Sequence, residues 1–263
     1  MSEKHISIIG GGNLGASIAQ GLLGSGLYPA SSITVTRHKV ELLAHLAGAG
    51  VRVHSDNCRA VREAGVVILA VKPLTLDKVL HEIKPELQPH HILVSVVTGV
   101  SIAHMESVLG AHVPVFRAMP NTAIAIRESM TCVATRNGDD GQVSEVMRIF
   151  DQLGSTVRIQ EELMDASTVL AACGIAYALR FIRAASQGGI EIGFDAATAQ
   201  AIASQTVRGA TGLLIKGGQH PEWEIDKVTT PKGITIAGLN EMEHQGFSSS
   251  LIKGIITSFE KIK

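Results

Sequence analysis

The stretch ISIIGGGNLG, residues 6–15, constrains this chain more than any other feature. A short β-branched run leads directly into glycines, and a helical pattern over 13–25 follows. Gly10, Gly12 and Gly15 stand at G-x-G-x-x-G spacing. In a strand–turn–helix the first glycine admits the tight turn, and the second lets backbone approach a pyrophosphate. The third lets helix and strand pack closely. The unpaired N–H groups and dipole of such a helix start favour phosphate. With 27 glycines the spacing alone arises easily by chance, so the flanking strand and helix decide for a nucleotide loop over a plain glycine turn.

The pattern continues past the first unit. Short β-branched and apolar runs at 6–9, 32–36, 66–71 and 92–97 read as strands buried on both faces. Helical stretches lie between them at 13–25, 40–49 and 76–87. Strand–helix alternation of this kind predicts a parallel, doubly wound sheet. The runs at 113–119, 129–135 and 155–159, with a helix near 143–153, extend the same sheet.

From about residue 161 strand patterns vanish, and alanine-rich helices are expected at 165–187, 195–216, 231–245 and 248–261. The fold class is therefore α/β: an N-terminal Rossmann-type dinucleotide-binding domain over 1–160, then an all-α C-terminal dimerisation domain over 161–263. The helix at 166–182 is apolar around most of its circumference and needs cover on several sides. About a hundred residues bury too little to supply that cover alone, which predicts a homodimer through the C-terminal helices.

Composition narrows the partners. The chain has 263 residues, 45% of them hydrophobic but only 3% aromatic, so its core is aliphatic. A formal net charge of −1 gives no electrostatic reason to expect nucleic acid or an anionic membrane. Cys58, Cys132 and Cys173 form no C-x-x-C pair, so neither a structural metal nor a disulfide framework is expected. The opening residues show no charged-then-apolar leader, and uninterrupted apolar runs such as 66–71 are too short to span a bilayer. A soluble cytoplasmic protein is expected. Eleven histidines are scattered without H-E-x-x-H spacing and are read mostly as surface residues; His90 and His91 fall in a polar loop.

Several short stretches suggest binding chemistry. After the second strand the chain reads TRHK at 36–39, with no carboxylate before Glu41. NAD sites place an acid there for the ribose 2′-hydroxyl, whereas Arg37 can grip a 2′-phosphate in a fork. NADPH is favoured over NADH; a solvated basic turn is the plainer alternative. Lys72 and Pro73 lie at a strand's carboxyl end, where such folds bind ligands, and Pro73 stiffens that loop. Asn121 and Thr122 follow Pro120 in a similar turn. Late in the chain, TTPKGIT reads as Thr230 capping a helix whose first residue is Pro231. Its free N–H groups make an anion site, or simply a well-capped helix.

Together GGGNLG, ILAVKP, FRAMPNT, LMDASTVLAACGIAYAL, QHPEW and VTTPKGITIAGL resemble the pyrroline-5-carboxylate reductase family, in order and along nearly the whole chain. The resemblance implies reduction of the cyclic imine 1-pyrroline-5-carboxylate to L-proline with NADP(H), NADH being a second donor. It implies subunits interleaved through the helical domain, with assemblies beyond the dimer left open. It also implies that Gly10, Gly12, Asn13, Leu14, Gly15, Arg37, Asn57, Ala70, Val71, Lys72 and Pro73 hold the cofactor, with Asn121 near the nicotinamide. The substrate loop would comprise Thr230, Lys232, Gly233, Ile234 and Thr235, with Thr235 facing the ring nitrogen as the catalytic hydroxyl. Two departures stand out. The family's LSGSGPAY is LAACGIAY here, and its P-G-G is Pro231-Lys232-Gly233. A relative acting on another imine or a hydroxy acid, or a non-catalytic NADP(H)-binding dimer, remain alternatives.

Overall fold

The computed structural model describes residues 5–110 and 113–262. Contacts divide the chain into two units. One runs to Cys173 and includes Ile262; the other is Gly174–Lys261. The division falls beyond the change of pattern at 161.

The first unit is built on one eight-stranded sheet in the order β3-β2-β1-β4-β5-β6-β7-β8. Its strands are β1 (Ile6–Ile9), β2 (Ile33–Thr36), β3 (Arg52–His54), β4 (Val66–Leu69), β5 (Ile92–Ser95), β6 (Val115–Met119), β7 (Ser129–Thr135) and β8 (Gly154–Arg158). The first six are parallel in the order 3-2-1-4-5-6, which is the Rossmann arrangement; β7 runs antiparallel to β6. Strand residues alternate between two aliphatic cores. Ile6, Ile8, Val66 and Ile68 enter the core on one face, and Ile9, Val67 and Leu69 enter the core on the other. This is the period of two expected of a sheet covered on both sides. Each fully buried Ile, Leu or Val contributes about 1.5–3 kcal/mol.

The helices of this unit are α1 (Asn13–Ser25), α2 (Ala44–Gly48), α3 (Asn57–Arg62), α4 (Pro73–Ile83), α5 (Ile102–Leu109), α6 (Asp140–Asp151) and α7 (Met164–Ser167). Three elements, β3, α3 and α5, escaped the sequence pattern. β3 is a three-residue edge strand with no apolar run, and α3 is six residues long. What starts α3 is a cap: the Asp56 side chain accepts from Arg59 N at 2.9 Å. Ser101 does the same for α5, accepting from His104 N at 3.1 Å. Other boundaries move. The helix expected at 40–49 is a 3₁₀ turn, Val40–Leu43, followed by α2. Pro73 is the first residue of α4, where its missing N–H costs nothing, rather than a loop stiffener. His91 is also not a surface residue: it is buried, with Nδ1 accepting from Gln88 N at 2.8 Å.

The helix expected at 165–187 changes character along its length. After α7 comes a π-helical segment, Thr168–Cys173, and then α8 (Gly174–Glu191). Taken as helix rather than as uninterrupted apolar runs, Glu161–Glu191 is long and apolar enough to cross a bilayer by length and composition. That corrects the expectation that every apolar stretch is too short. Arg180 and Arg183 lie within it.

The second unit contains α8, α9 (Ala196–Gly217), α10 (Pro221–Lys227), α11 (Ile234–His244) and α12 (Phe247–Ile262). α10 was not expected. It opens with Pro221 after His220, whose ring accepts from Glu222 N. α8 and α9 approach closely at Gly189, where an added Cβ would sit 3.0 Å from the Ala199 Cβ. Tyr177 and Ser258 share a 2.7 Å hydrogen bond. Among its described residues only Ser186, Ala199 and Ala203 are buried. Large apolar side chains such as Leu179, Leu213, Ile215 and Ile256 are half exposed or more. An apolar surface of this kind marks a face that another protein surface covers.

Candidate functional site

In the first unit the site begins where β1 meets α1. Gly10 has φ +105°, and a Cβ there would sit 2.6 Å from the Ala70 carbonyl oxygen. A Cβ on Gly15 would run into the Gly10 carbonyl oxygen, so both positions require glycine. Gly12 differs: nothing lies within 4 Å of its missing Cβ. Gly10 N and Gly11 N both donate to Thr36 O, at 3.2 and 2.7 Å, tying the loop to the end of β2. The first turn of α1 has no acidic residue, so its free N–H groups and dipole are uncompensated.

A cleft of about 330 Å³ opens beside this loop, a size typical of small-ligand sites. Of the residues singled out from sequence, Gly10, Gly12, Arg37, Asn57, Ala70, Val71 and Lys72 line it. Asn13, Leu14 and Gly15 open α1, and Pro73 opens α4; these four stand beside the cleft rather than in its wall. Arg37 is half-buried and fixed from two sides. Its N donates to His54 O at 3.1 Å, and Nη1 donates to Gly11 O at 2.7 Å. Lys72 caps α4 with extended backbone.

The sequence pattern missed part of this wall. Thr75, Lys78, Val79 and Glu82 of α4 also line the cleft, together with Thr36, His38 and Ser55. The four α4 positions have i, i+3, i+4, i+7 spacing, one helix face. That stripe was available in the sequence. Apart from Val79 it is polar, and attention to apolar periodicity passes over it. The Asn57 side chain bridges two walls: Thr36 Oγ1 donates to its Oδ1 at 2.6 Å, and its Nδ2 donates to Glu82 Oε2 at 3.1 Å.

Asn121 does not line this cleft. It caps a 3₁₀ turn, Thr122–Ile126, with Oδ1 accepting from Ala123 N at 3.0 Å. Its Nδ2 donates to Ala171 O, in the π-helical segment, at 3.3 Å. A π-helical turn displaces a carbonyl from the ordinary ladder, which frees it for such a partner.

The late threonine loop lies in the second unit. Its helix starts later than expected. α11 begins at Ile234 with Gly233 as N-cap, so Thr230 is not the cap and Pro231 is not helical. Thr230–Gly233 forms a turn closed by Gly233 N donating to Thr230 O at 2.9 Å. Pro231 takes the second position, and Lys232, with φ +60°, takes the third. That is the geometry of a type II turn, which favours glycine at the third position. Gly233 is pressed on Thr230: a Cβ there would lie 2.5 Å from Thr230 Oγ1. Ile234 and Thr235 then supply the first N–H groups of α11, which have no partner inside the helix.

Residues 161–263 match the family model for pyrroline-5-carboxylate reductase dimerisation, and residues 5–99 match one for coenzyme F420-dependent NADP oxidoreductases. Pyrroline-5-carboxylate reductase 2 of Dictyostelium discoideum is 43% identical over 99% of this chain and 92% of its own length. The chain belongs to the pyrroline-5-carboxylate reductase family. Pyrroline-5-carboxylate reductase 1 of the same organism is 45% identical over 98% of this chain, which spans about half (49%) of that relative's length. The crystal structure of the Plasmodium falciparum pyrroline carboxylate reductase with NADP bound superposes with a TM-score of 0.88. It shares 25% identity and covers 100% of this chain and 98% of its own.

The two segments that depart from the pattern of the sequence resemblance have defined places in the fold. Ala171 to Ile175 spans the end of the π-helical segment, and Ala171 supplies the carbonyl that holds Asn121. Lys232 occupies the turn position that demands positive φ.

Proposed function

We propose that this chain reduces 1-pyrroline-5-carboxylate to L-proline with NADPH as the preferred hydride donor, as a cytoplasmic homodimer. The observation that carries the cofactor choice is Arg37. It stands at the end of β2 where NAD sites place a carboxylate, and it lines the cleft with Lys72 and Lys78. The residues present fit a dinucleotide. Gly12 leaves open space, the α1 N-terminus is uncompensated, and the cationic side chains outnumber the acidic ones in the wall.

The bound cofactor supplies a hydride from its nicotinamide ring. In this reading Gly10, Gly12, Asn13, Leu14 and Gly15 hold the pyrophosphate, and Arg37 pairs with the 2′-phosphate. Asn57, Ala70, Val71, Lys72 and Pro73 bound the ribose and phosphates, and Asn121 shapes the nicotinamide end. In the second unit the Ile234 and Thr235 N–H groups take the substrate carboxylate, because Gly233 N is already used by Thr230 O. Thr230 and Lys232 flank that anion. As hydride adds to the C=N carbon, the ring nitrogen becomes more basic and must hold a proton. The Thr235 hydroxyl donates a hydrogen bond there or relays a proton from water. Positioning supplies the rest of the rate. The exposed apolar faces of α8, α9 and α12, with the match to the dimerisation model, support the homodimer.

The direct test follows NADPH oxidation with pyrroline-5-carboxylate beside a panel of other cyclic imines and keto acids. Turnover concentrated on pyrroline-5-carboxylate supports the reading. Turnover only on another compound overturns the substrate, and tight NADPH binding without any turnover overturns catalysis.

A further inference from the structure

One wall of the cleft holds a carboxylate that no sequence motif pointed to. Glu82 stands in the last turn of α4 and is the one acidic side chain among the described residues lining the cleft. Its Oε2 accepts from Asn57 Nδ2 at 3.1 Å, and Asn57 Oδ1 accepts from Thr36 Oγ1 at 2.6 Å. Thr36 is the last residue of β2 and directly precedes Arg37. The hydrogen-bond chain thus joins Glu82 to the point where nucleotide-binding sheets sense the ribose 2′ position. Asn57 is only 9% exposed, so its amide orientation is set by these two partners and not by water. Among the described residues no ion pair neutralises Glu82, and the Arg37 guanidinium is held on Gly11 O instead.

We propose that Glu82 sets coenzyme choice: its charge opposes a 2′-phosphate and tolerates a 2′-hydroxyl, while its oxygen holds Asn57 in place. Arg37 and Glu82 then act in opposition, which leaves NADH usable beside NADPH. The inference rests on the cleft being the dinucleotide site.

Two variants separate charge from hydrogen bond. Glu82→Gln keeps an acceptor oxygen for Asn57 and deletes the charge. Glu82→Ala deletes both. Dissociation constants are read from nicotinamide fluorescence on titrating the full chain into NADPH and into NADH, without substrate. Glu82→Gln lowers the NADPH constant about five-fold and moves the NADH constant less than two-fold, the size of one solvent-screened repulsion between like charges removed. Glu82→Ala raises the NADH constant about five-fold, the worth of one lost hydrogen bond. A residue that merely supports the fold would shift both nucleotides together. An unchanged Glu82→Gln, or equal shifts for NADPH and NADH, overturns the proposal. If Glu82→Ala fails to fold, Glu82→Gln alone decides. Wild-type protein that binds neither nucleotide overturns the cleft reading itself, a result distinct from nucleotide binding that is insensitive to residue 82.

Discussion

The Arg37 guanidinium donates to the Gly11 carbonyl oxygen at 2.7 Å, so the cation that follows β2 is fastened to the glycine loop that follows β1. One of the five guanidinium N–H groups is spent there, and the planar fork keeps the others in a fixed direction. With Arg37 in its proposed role at the 2′-phosphate, Arg37→Ala removes a phosphate clamp and a loop contact together. The dissociation constant of NADPH is expected to rise about thirty-fold, and that of NADH about three-fold. Equal losses, measured by nicotinamide fluorescence, would count against a 2′-phosphate role.

Thr235 is proposed to act at the substrate nitrogen. Thr235→Ala should lower kcat about a hundred-fold, the ordinary size of a lost proton-transfer group. NADPH affinity should stay within two-fold, and Thr235→Ser should recover most of the rate. A Thr235→Ala enzyme with wild-type turnover removes the hydroxyl from the mechanism.

Lys232 holds φ +60° in the Thr230–Gly233 turn. A non-glycine residue in that region is strained by roughly 1–3 kcal/mol, partly offset by the greater freedom that glycine loses on folding. Lys232→Gly is expected to raise stability by about 1 kcal/mol, whereas Lys232→Ala keeps the strain and gains nothing. Denaturant unfolding of the two variants in parallel separates them; matching midpoints would mean that the turn is not strained.

His91 is buried, and burial, followed by the neighbouring His90, pushes its pKa below the ordinary histidine value. In the unfolded chain His91 protonates near pH 6.5, while in the folded chain it stays neutral to lower pH. Stability is thus lost as pH falls from about 6.5 toward the lower folded value, because the unfolded state binds the extra proton. Denaturant midpoints from pH 7.5 to 5 should decline, and His91→Asn should flatten that slope. An identical slope in the variant would place the dependence elsewhere.

Leu179 of α8 is 60% exposed within a unit that hides almost none of its large apolar side chains. Leu179→Asp should shift the protein from dimer toward monomer in sedimentation, since a charge buried without a partner costs several kcal/mol. A variant that stays dimeric would exclude this face of α8 from the interface.

The parts legible in the sequence are those governed by neighbours along the chain. Ile6 to Gly15 announces strand, turn and helix because steric demands at Gly10 and Gly15 act over a few residues. The buried strands at Val66–Leu69 and Ile92–Ser95 are equally plain, being apolar at every position but Ser95. β3 and α3 were not legible, because a three-residue edge strand and a six-residue helix leave almost no periodicity. The start of α11 was misplaced because Thr230-Pro231 is a sound cap pattern; the competing Thr230–Gly233 turn won instead.

The sequence by itself determined the class of the chain: a nucleotide loop on a parallel sheet, a basic residue after β2, and helices too apolar to stand uncovered. The tertiary structure decided what meets in the cleft. Thr36, Asn57 and Glu82 lie on β2, α3 and α4, and nothing in their spacing brings them together. They meet because β2 lies between β1 and β3 while β1 also pairs with β4, which sets α3, after β3, and α4, after β4, around one crevice. Such pairing is fixed by long-range hydrogen bonding and the burial of both sheet faces, and no local pattern encodes it.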